Sequence, residues 1–425
     1  MNLTRISSLL DPAQLKPPGW TANQFRVFRA LLGAYITAHF MHLLPWSIEL
    51  FSSAGMLGNA SLSPLTGLFP NVLALNDDPA WVLILTASGA IAGTGLMLGR
   101  GDRWCALWAW FVLATLFTRN PLIANPAMPY VGWILIAYPF ISSLPAVSDL
   151  SGCARWRLSP VVFTAAWVVL ALSYSYSGYT KLSSPSWLSG ENVALVLNNP
   201  LARDWLLRDV FLGLPDEILK TLTWFILLVE LLFAPLALSK KLRPLLWGLM
   251  FCVQLGFLLL LNFADLTIGM LLIHLLTLDP DWLKTRSPGR IRRIYYDGDC
   301  GLCHTFVGFA LSEDIGGHLS FQPLQGSPFE YRGLKDSRSG GDTFIVELTN
   351  GAILERGAAF IRVCKELGGL WWLLGHALAL LPAHWVDWGY RHFGRFRHSL
   401  AKPPEEVVCP LLPPEIQARF HPPSS

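Results

Sequence analysis

Arg293-Ile294-Tyr295-Tyr296-Asp297-Gly298-Asp299-Cys300-Gly301-Leu302-Cys303-His304-Thr305-Phe306-Val307-Gly308-Phe309 is the stretch whose reading decides what this chain is. The β-branched and aromatic residues at 294–296 predict a short strand. Asp297-Gly298-Asp299 predicts a turn, and a helix follows from Cys300 through Phe309. Two cysteines with two residues between them, at a helix start just after a strand, read as a redox pair. The unsatisfied amides and positive dipole end of the helix favour an anion. Cys300 is therefore expected to be a nucleophilic thiolate, with Cys303 one turn further in to resolve a mixed disulfide. Asp297 and Asp299 have two readings: relaying protons to a buried thiol, or making the turn and capping the helix. Their charge opposes thiolate formation at Cys300. Cys300-x-x-Cys303-His304 also matches c-type haem attachment. Zinc would need further ligands, for which Cys364, His304 and Cys409 are the candidates.

Outward from this stretch, the composition changes character. The chain of 425 residues is 52% hydrophobic and 14% charged, with a mean hydropathy of +0.42. Soluble proteins carry roughly 25% charged residues, so an integral membrane protein is expected, with the lipid bilayer as its first partner. The net charge of +3 gives no ground for nucleic-acid binding. Seven scattered cysteines argue against a secreted disulfide framework. Met1–Gln24 is polar and Pro-containing, without the apolar core of a signal peptide.

At about 20 residues per crossing, eight apolar stretches are expected to span a bilayer, near 25–44, 80–98, 104–118, 130–148, 160–178, 221–239, 244–262 and 264–279. Lys and Arg gather on one side: Arg26 and Arg29, Arg100 and Arg103, Arg155 and Arg157, Lys240 and Lys241, then Lys284 through Arg293. The 45–79 loop on the other side has none. This asymmetry predicts both termini in the cytosol, with a bacterial inner membrane as the expected location. Glu230, mid-span, is a site candidate because burying a carboxylate is costly. Lys181, near a span end, reads as a general base or as a snorkelling side chain. His39, His42 and His274 read as quinone or metal ligands or as interhelical hydrogen-bond formers.

Beyond Asp281-Trp282 a soluble domain is expected. Leu319–Leu324 reads as a strand, and Thr343–Leu348 with Ala352–Glu355 as a hairpin through Asn350-Gly351. Ala358–Leu367 reads as a helix, and more helix follows to Phe396, interrupted at Pro382. The order β-α-β, then β-β-α, predicts a thioredoxin-like α/β domain after a polytopic α-helical bundle. Ser339-Gly340-Gly341-Asp342 stands where thioredoxins place a cis-proline. The expected domains are a cytosolic segment over 1–24, a membrane domain over 25–283, the redox domain over 291–411, and an irregular Pro-rich tail over 412–425.

Tyr296-Asp297-Gly298-Asp299-Cys300-Gly301-Leu302-Cys303, followed by Pro323-Leu324-Gln325, Tyr390-Arg391 and Cys409-Pro410, resembles the DCC family of thiol-disulfide oxidoreductases. That resemblance implies a thioredoxin-like fold and redox-active Cys300 and Cys303. The membrane half resembles the HTTM domain shared with vitamin K-dependent gamma-carboxylase. The likeness rests on Arg119-Asn120-Pro121 with Asn125, Ser177-Gly178-Tyr179-Thr180-Lys181-Leu182 with Trp187-Leu188-Ser189-Gly190, Glu230, and Phe263 with Asp265. It implies that Lys181 stands where the carboxylase has its base. Thr180 replaces a neighbouring lysine and the spacing to Trp187 is altered, so the carboxylase reaction itself is not implied. The expected function is a membrane-anchored thiol-disulfide oxidoreductase with an unidentified thiol or disulfide electron partner. No cofactor is required, although a quinone-like lipid would suit the membrane half. The alternative is an HTTM-type enzyme or transporter acting on a lipid-soluble or peptide substrate, with the C-terminal domain as a binding module.

Overall fold

The computed structural model describes residues 19–59, 61, 63–65, 67–68, 70–123, 125–283, 290–298, 301–324, 327, 344–395 and 419. Asp299, Cys300, Gln325, the 339–343 stretch and Cys409 lie outside the described residues. Two compact units emerge. One contains Arg26–Ser142 and Ser159–Leu278; the other contains Pro17–Phe25, Ser143–Leu158 and Asp279–Ser425. The second unit thus draws in two segments that the sequence reading assigned to the N-terminal segment and the membrane domain.

The first unit is helical. Its long elements are α1 (Ala22–Leu43), α2 (Pro79–Leu98), α3 (Asp102–Arg119), α4 (Met128–Ala137), α5 (Pro160–Lys181), α6 (Asp216–Ala237), α7 (Arg243–Leu260) and α8 (Ala264–Thr277). Proline opens α2 and α5, where its missing N–H costs nothing. Among the described residues, five stretches are long and apolar enough to cross a membrane: Ala22–Phe51, Pro79–Leu98, Pro160–Lys181, Asp216–Ala237 and Arg243–Leu260. The other three of the eight expected stretches do not meet that length and composition, and the reasons are local. α3 carries Asp102, Arg103 and Arg119. α4 ends at Ala137, where Pro139 tightens the chain into a 3-10 turn, so the expected 130–148 span is broken. α8 has only 14 residues.

α5 and α6 approach closely. A Cβ on Gly178 would stand 2.5 Å from the Leu231 backbone nitrogen, so only glycine allows this spacing. Pro235 inside α6 has no N–H to offer the carbonyl of Leu231. Ser175 Oγ reaches that carbonyl at 3.1 Å and accepts the Ala234 N–H at 2.8 Å. Polar side chains such as Thr86, Thr115, Gln254 and His274 are buried, whereas Ile84, Ile91, Leu172 and Leu228 face outward. A polar interior inside an apolar exterior is the pattern that lipid favours.

The second unit holds a four-stranded mixed sheet: β1 (Ile291–Tyr296), β2 (Phe321–Pro323), β3 (Ile345–Leu348) and β4 (Ile353–Glu355), in the order β2-β1-β3-β4. β1 and β2 are parallel, with Ile294 opposite Phe321; the crossover between them is α9 (Gly301–Glu313). β3 runs antiparallel to both β1 and β4. Then follow α10 (Arg356–Leu367), α11 (Gly369–Ala379) and α12 (Ala383–Arg395). Ile294, Phe321, Val346, Val307, Ala310, Ala359 and Val363 form the core between sheet and helices. Arg419, in the tail expected to be irregular, pairs with Asp314, and its carbonyl accepts the Phe321 N–H at 2.9 Å, so it covers the free edge of β2.

Candidate functional site

β1 delivers the chain to the site. Tyr295 is held by its hydroxyl, which donates to Glu347 Oε2 at 2.9 Å, and Arg292 pairs with the same carboxylate at 2.9 Å. Burial, then the hydrogen bond to Glu347 and its charge, raise the Tyr295 pKa above its ordinary value. Asp297 and Gly298 make the turn, both half-buried. Asp299 and Cys300 lie outside the described residues, and the helix begins at Gly301. Cys303 therefore sits on the first turn of α9, half-buried, where helix-end amides favour a thiolate.

His304 ties this turn together. Its Nε2 lies 2.7 Å from the Gly298 carbonyl oxygen. A carbonyl only accepts, so Nε2 carries the proton and donates. The ring stands edge-on to Tyr296, with centroids 5.5 Å apart. In the sequence His304 entered only as a haem or zinc ligand. Its adjacency to Cys303 was visible there, but its return to Gly298 was not. Further along, Cys364 is buried, and burial pushes its thiol up to about 12. It stays protonated at neutral pH and is no nucleophile.

The face of α9 that carries Cys303 and His304 borders a cavity of about 1160 Å³ walled by Phe306, Phe309, Phe360, Leu378, Leu381 and Trp385. The short helix Leu150–Arg155 closes on α9 at Gly308, where a Cβ would stand 2.8 Å from Leu150 Cδ2. The far end of α9 is anchored by Glu313. Its carboxylate accepts from Thr21 Oγ1 and Trp371 Nε1 at 2.5 Å, Asn23 Nδ2 at 2.9 Å and Gln24 Nε2 at 3.5 Å. Sequence reasoning missed this carboxylate, because three of its donors come from positions almost 300 residues away and the fourth, Trp371, from 58 residues away.

In the helical unit the two membrane candidates meet. Lys181 Nζ pairs with Glu230 Oε2, and the ammonium also lies 4.5 Å from the centre of the Trp187 ring. The sequence offered them as separate candidates; the close α5–α6 contact makes them one pair, with Glu230 buried and Lys181 half-buried. His274 is committed elsewhere. Its Nδ1 donates to Met270 O at 2.9 Å, and its Nε2 lies 3.2 Å from the Tyr174 hydroxyl, which accepts from Gln254 Nε2 at 3.1 Å.

Residues 294–402 match the family model for DCC1-like thiol-disulfide oxidoreductases. The chain is also similar to uncharacterized protein YuxK of Bacillus subtilis (strain 168), 30% identical over 139 residues, which are 32% of this chain and 96% of that protein. No solved structure matches the chain.

Proposed function

We propose, from the premise that the chain belongs through its C-terminal unit to the DCC1-like thiol-disulfide oxidoreductases, that it is a membrane-anchored oxidoreductase working through Cys300 and Cys303. The observation that carries this is Cys303 on the first turn of α9, directly after β1, in a sheet of order β2-β1-β3-β4 whose third strand is antiparallel. That arrangement supports a thioredoxin-like reading of the sheet unit. The five apolar helices support membrane anchoring.

The Cys300 thiolate attacks one sulfur of a substrate disulfide, and the other sulfur leaves as a thiol after taking a proton. Cys303, deprotonated, then attacks Cys300 Sγ and releases the second substrate thiol. Two electrons have passed from the protein dithiol to the substrate, and a thiol donor must return them. His304 holds the turn between strand and helix, and so positions Cys303 relative to β1. Asp297 receives or supplies the thiol protons, or completes the turn.

Alkylation of the reduced full chain across pH, compared with Cys300→Ser, tests this reading. A thiol titrating below about 7.5 that disappears in the variant supports it; ordinary thiol behaviour in both overturns the activated nucleophile. Disulfide reduction should fall about 100-fold in Cys300→Ser and stay within about twofold in Lys181→Met.

A further inference from the structure

A second cavity, of about 690 Å³, lies in the helical unit and has no part in the thiol chemistry. Its volume falls in the range of about 300–1,000 Å³ common to small-molecule sites. Most of the wall is apolar, including Leu43, Phe51, Leu113, Phe117, Met128 and Ile268. One side is polar and built from elements distant in sequence.

Asp265, at the start of α8, binds His39 Nδ1 through Oδ1 at 2.9 Å and Asn125 Nδ2 through Oδ2 at 2.5 Å. Its backbone carbonyl accepts from the Tyr35 hydroxyl at 3.4 Å. Both carboxylate oxygens are therefore committed. Because a carboxylate accepts, His39 Nδ1 carries the proton, and Nε2 is left as the available ring nitrogen. Asn125 is itself fixed, its Oδ1 accepting the Ala127 N–H at 2.9 Å.

Arg203 also lines this cavity. Two backbone bonds hold its loop to the end of α7, Arg203 N to Leu260 O at 2.7 Å and Asn262 N to Leu201 O at 2.7 Å. Arg203 Nε donates to Leu261 O at 3.0 Å, which aligns the guanidinium while its two terminal nitrogens hold no bond among the described residues. The cavity thus offers a guanidinium with donors to spare and an imidazole backed by a carboxylate. Both oxygens of its acidic lining residue are already bonded, whereas the terminal nitrogens of Arg203 are charged donors that hold no bond among the described residues, so the uncommitted donors favour an anion.

We infer that this cavity binds a carboxylic acid with an apolar body, a fatty-acid-like amphiphile, with its headgroup on Arg203 and His39. The acid's carbonyl oxygen accepts from Arg203, and its hydroxyl faces His39 Nε2. When that proton moves, it goes to Nε2, leaving a carboxylate on the guanidinium and an imidazolium beside Asp265. The hydrocarbon body fills the wall of Leu113, Phe117 and Met128.

The test uses the full chain in detergent micelles and a photoreactive diazirine analogue of dodecanoic acid, with labelled peptides mapped by mass spectrometry. Labelling should concentrate on 35–43, 113–128 and 262–268. Dodecanoic acid should compete at least tenfold better than methyl dodecanoate or dodecyltrimethylammonium. Arg203→Gln and His39→Gln should each reduce labelling about tenfold, with Arg203→Lys intermediate and all melting temperatures within a few degrees of the parent. Equal competition by the ester, or labelling spread evenly over the outer faces of the helices, overturns the inference. Should Arg203→Gln fail to fold, Arg203→Lys and the three-competitor comparison on the unaltered chain still decide it.

Discussion

Glu230 in the helical unit and Glu313 in the sheet unit are both buried, 4% and 1% exposed, yet they are stabilised by opposite means. Glu230 has a cation: Lys181 reaches it across the α5–α6 contact. Glu313 has four neutral donors, from Thr21, Asn23, Gln24 and Trp371. Burying a carboxylate costs several kcal/mol, and either an opposite charge or a set of hydrogen bonds offsets it. The two solutions have different structural consequences. An ion pair between neighbouring helices joins two elements and can be replaced by matched apolar side chains. A four-donor cage draws together the 19–25 segment, α9 and α11 at one point, and no single substitution reproduces it.

The largest effect should come from leaving one charge of the pair alone. Lys181→Ala should lower stability by about 3 kcal/mol, because Glu230 is left uncompensated, whereas Lys181→Met with Glu230→Leu should recover most of the loss. Thermal unfolding in micelles measures both. A double variant as unstable as the single one would show that the pair is not interchangeable with packing.

Glu313→Gln should cost about 2 kcal/mol, since the amide places an NH₂ against donor-only groups such as Asn23 Nδ2 or Trp371 Nε1 and removes a charge-assisted acceptor. Amide exchange should quicken over residues 19–25 while α5 and α6 are unchanged. Unchanged exchange would mean that the cage does not anchor this segment, and the contrast with Glu230 would fail.

A smaller effect belongs to Cys364. The unfolded thiol titrates near 9.0 and the folded one near 12. Its contribution to stability is complete below pH 9 and is lost as pH rises toward 12. Unfolding followed over that window should show a slope that Cys364→Ala reduces, with no change at pH 7 beyond the lost packing. The smallest effect concerns Arg356, which has a φ of +51° where β4 meets α10. Arg356→Gly should raise stability by about 1 kcal/mol by relieving that conformation, read as a shift in the unfolding midpoint.

Much of the sheet unit could be read in advance. The strand at 294–296, which the structure extends back to Ile291, the helix carrying Cys303, the hairpin through Asn350-Gly351 and the break at Pro382 all follow from neighbours along the chain. The apolar stretches were equally plain, although composition alone ran 130–148 together as one span. The turn at Tyr138–Phe140 depends on a single proline that an average over 20 residues conceals.

The sequence by itself determined what is local: which segments are helix or strand, that long stretches before residue 283 are strongly apolar, and that Cys303 stands at a helix start. Periodicity and turn chemistry act between residues a few positions apart, so a linear reading captures them. Only the tertiary structure decided that Lys181 meets Glu230, that His304 returns to Gly298, that Glu313 gathers its donors, and that His39, Asp265 and Arg203 line one cavity. Those pairings depend on how helices cross and how closely small residues such as Gly178 let them approach, and the distance between two side chains in space is not a function of their distance along the chain.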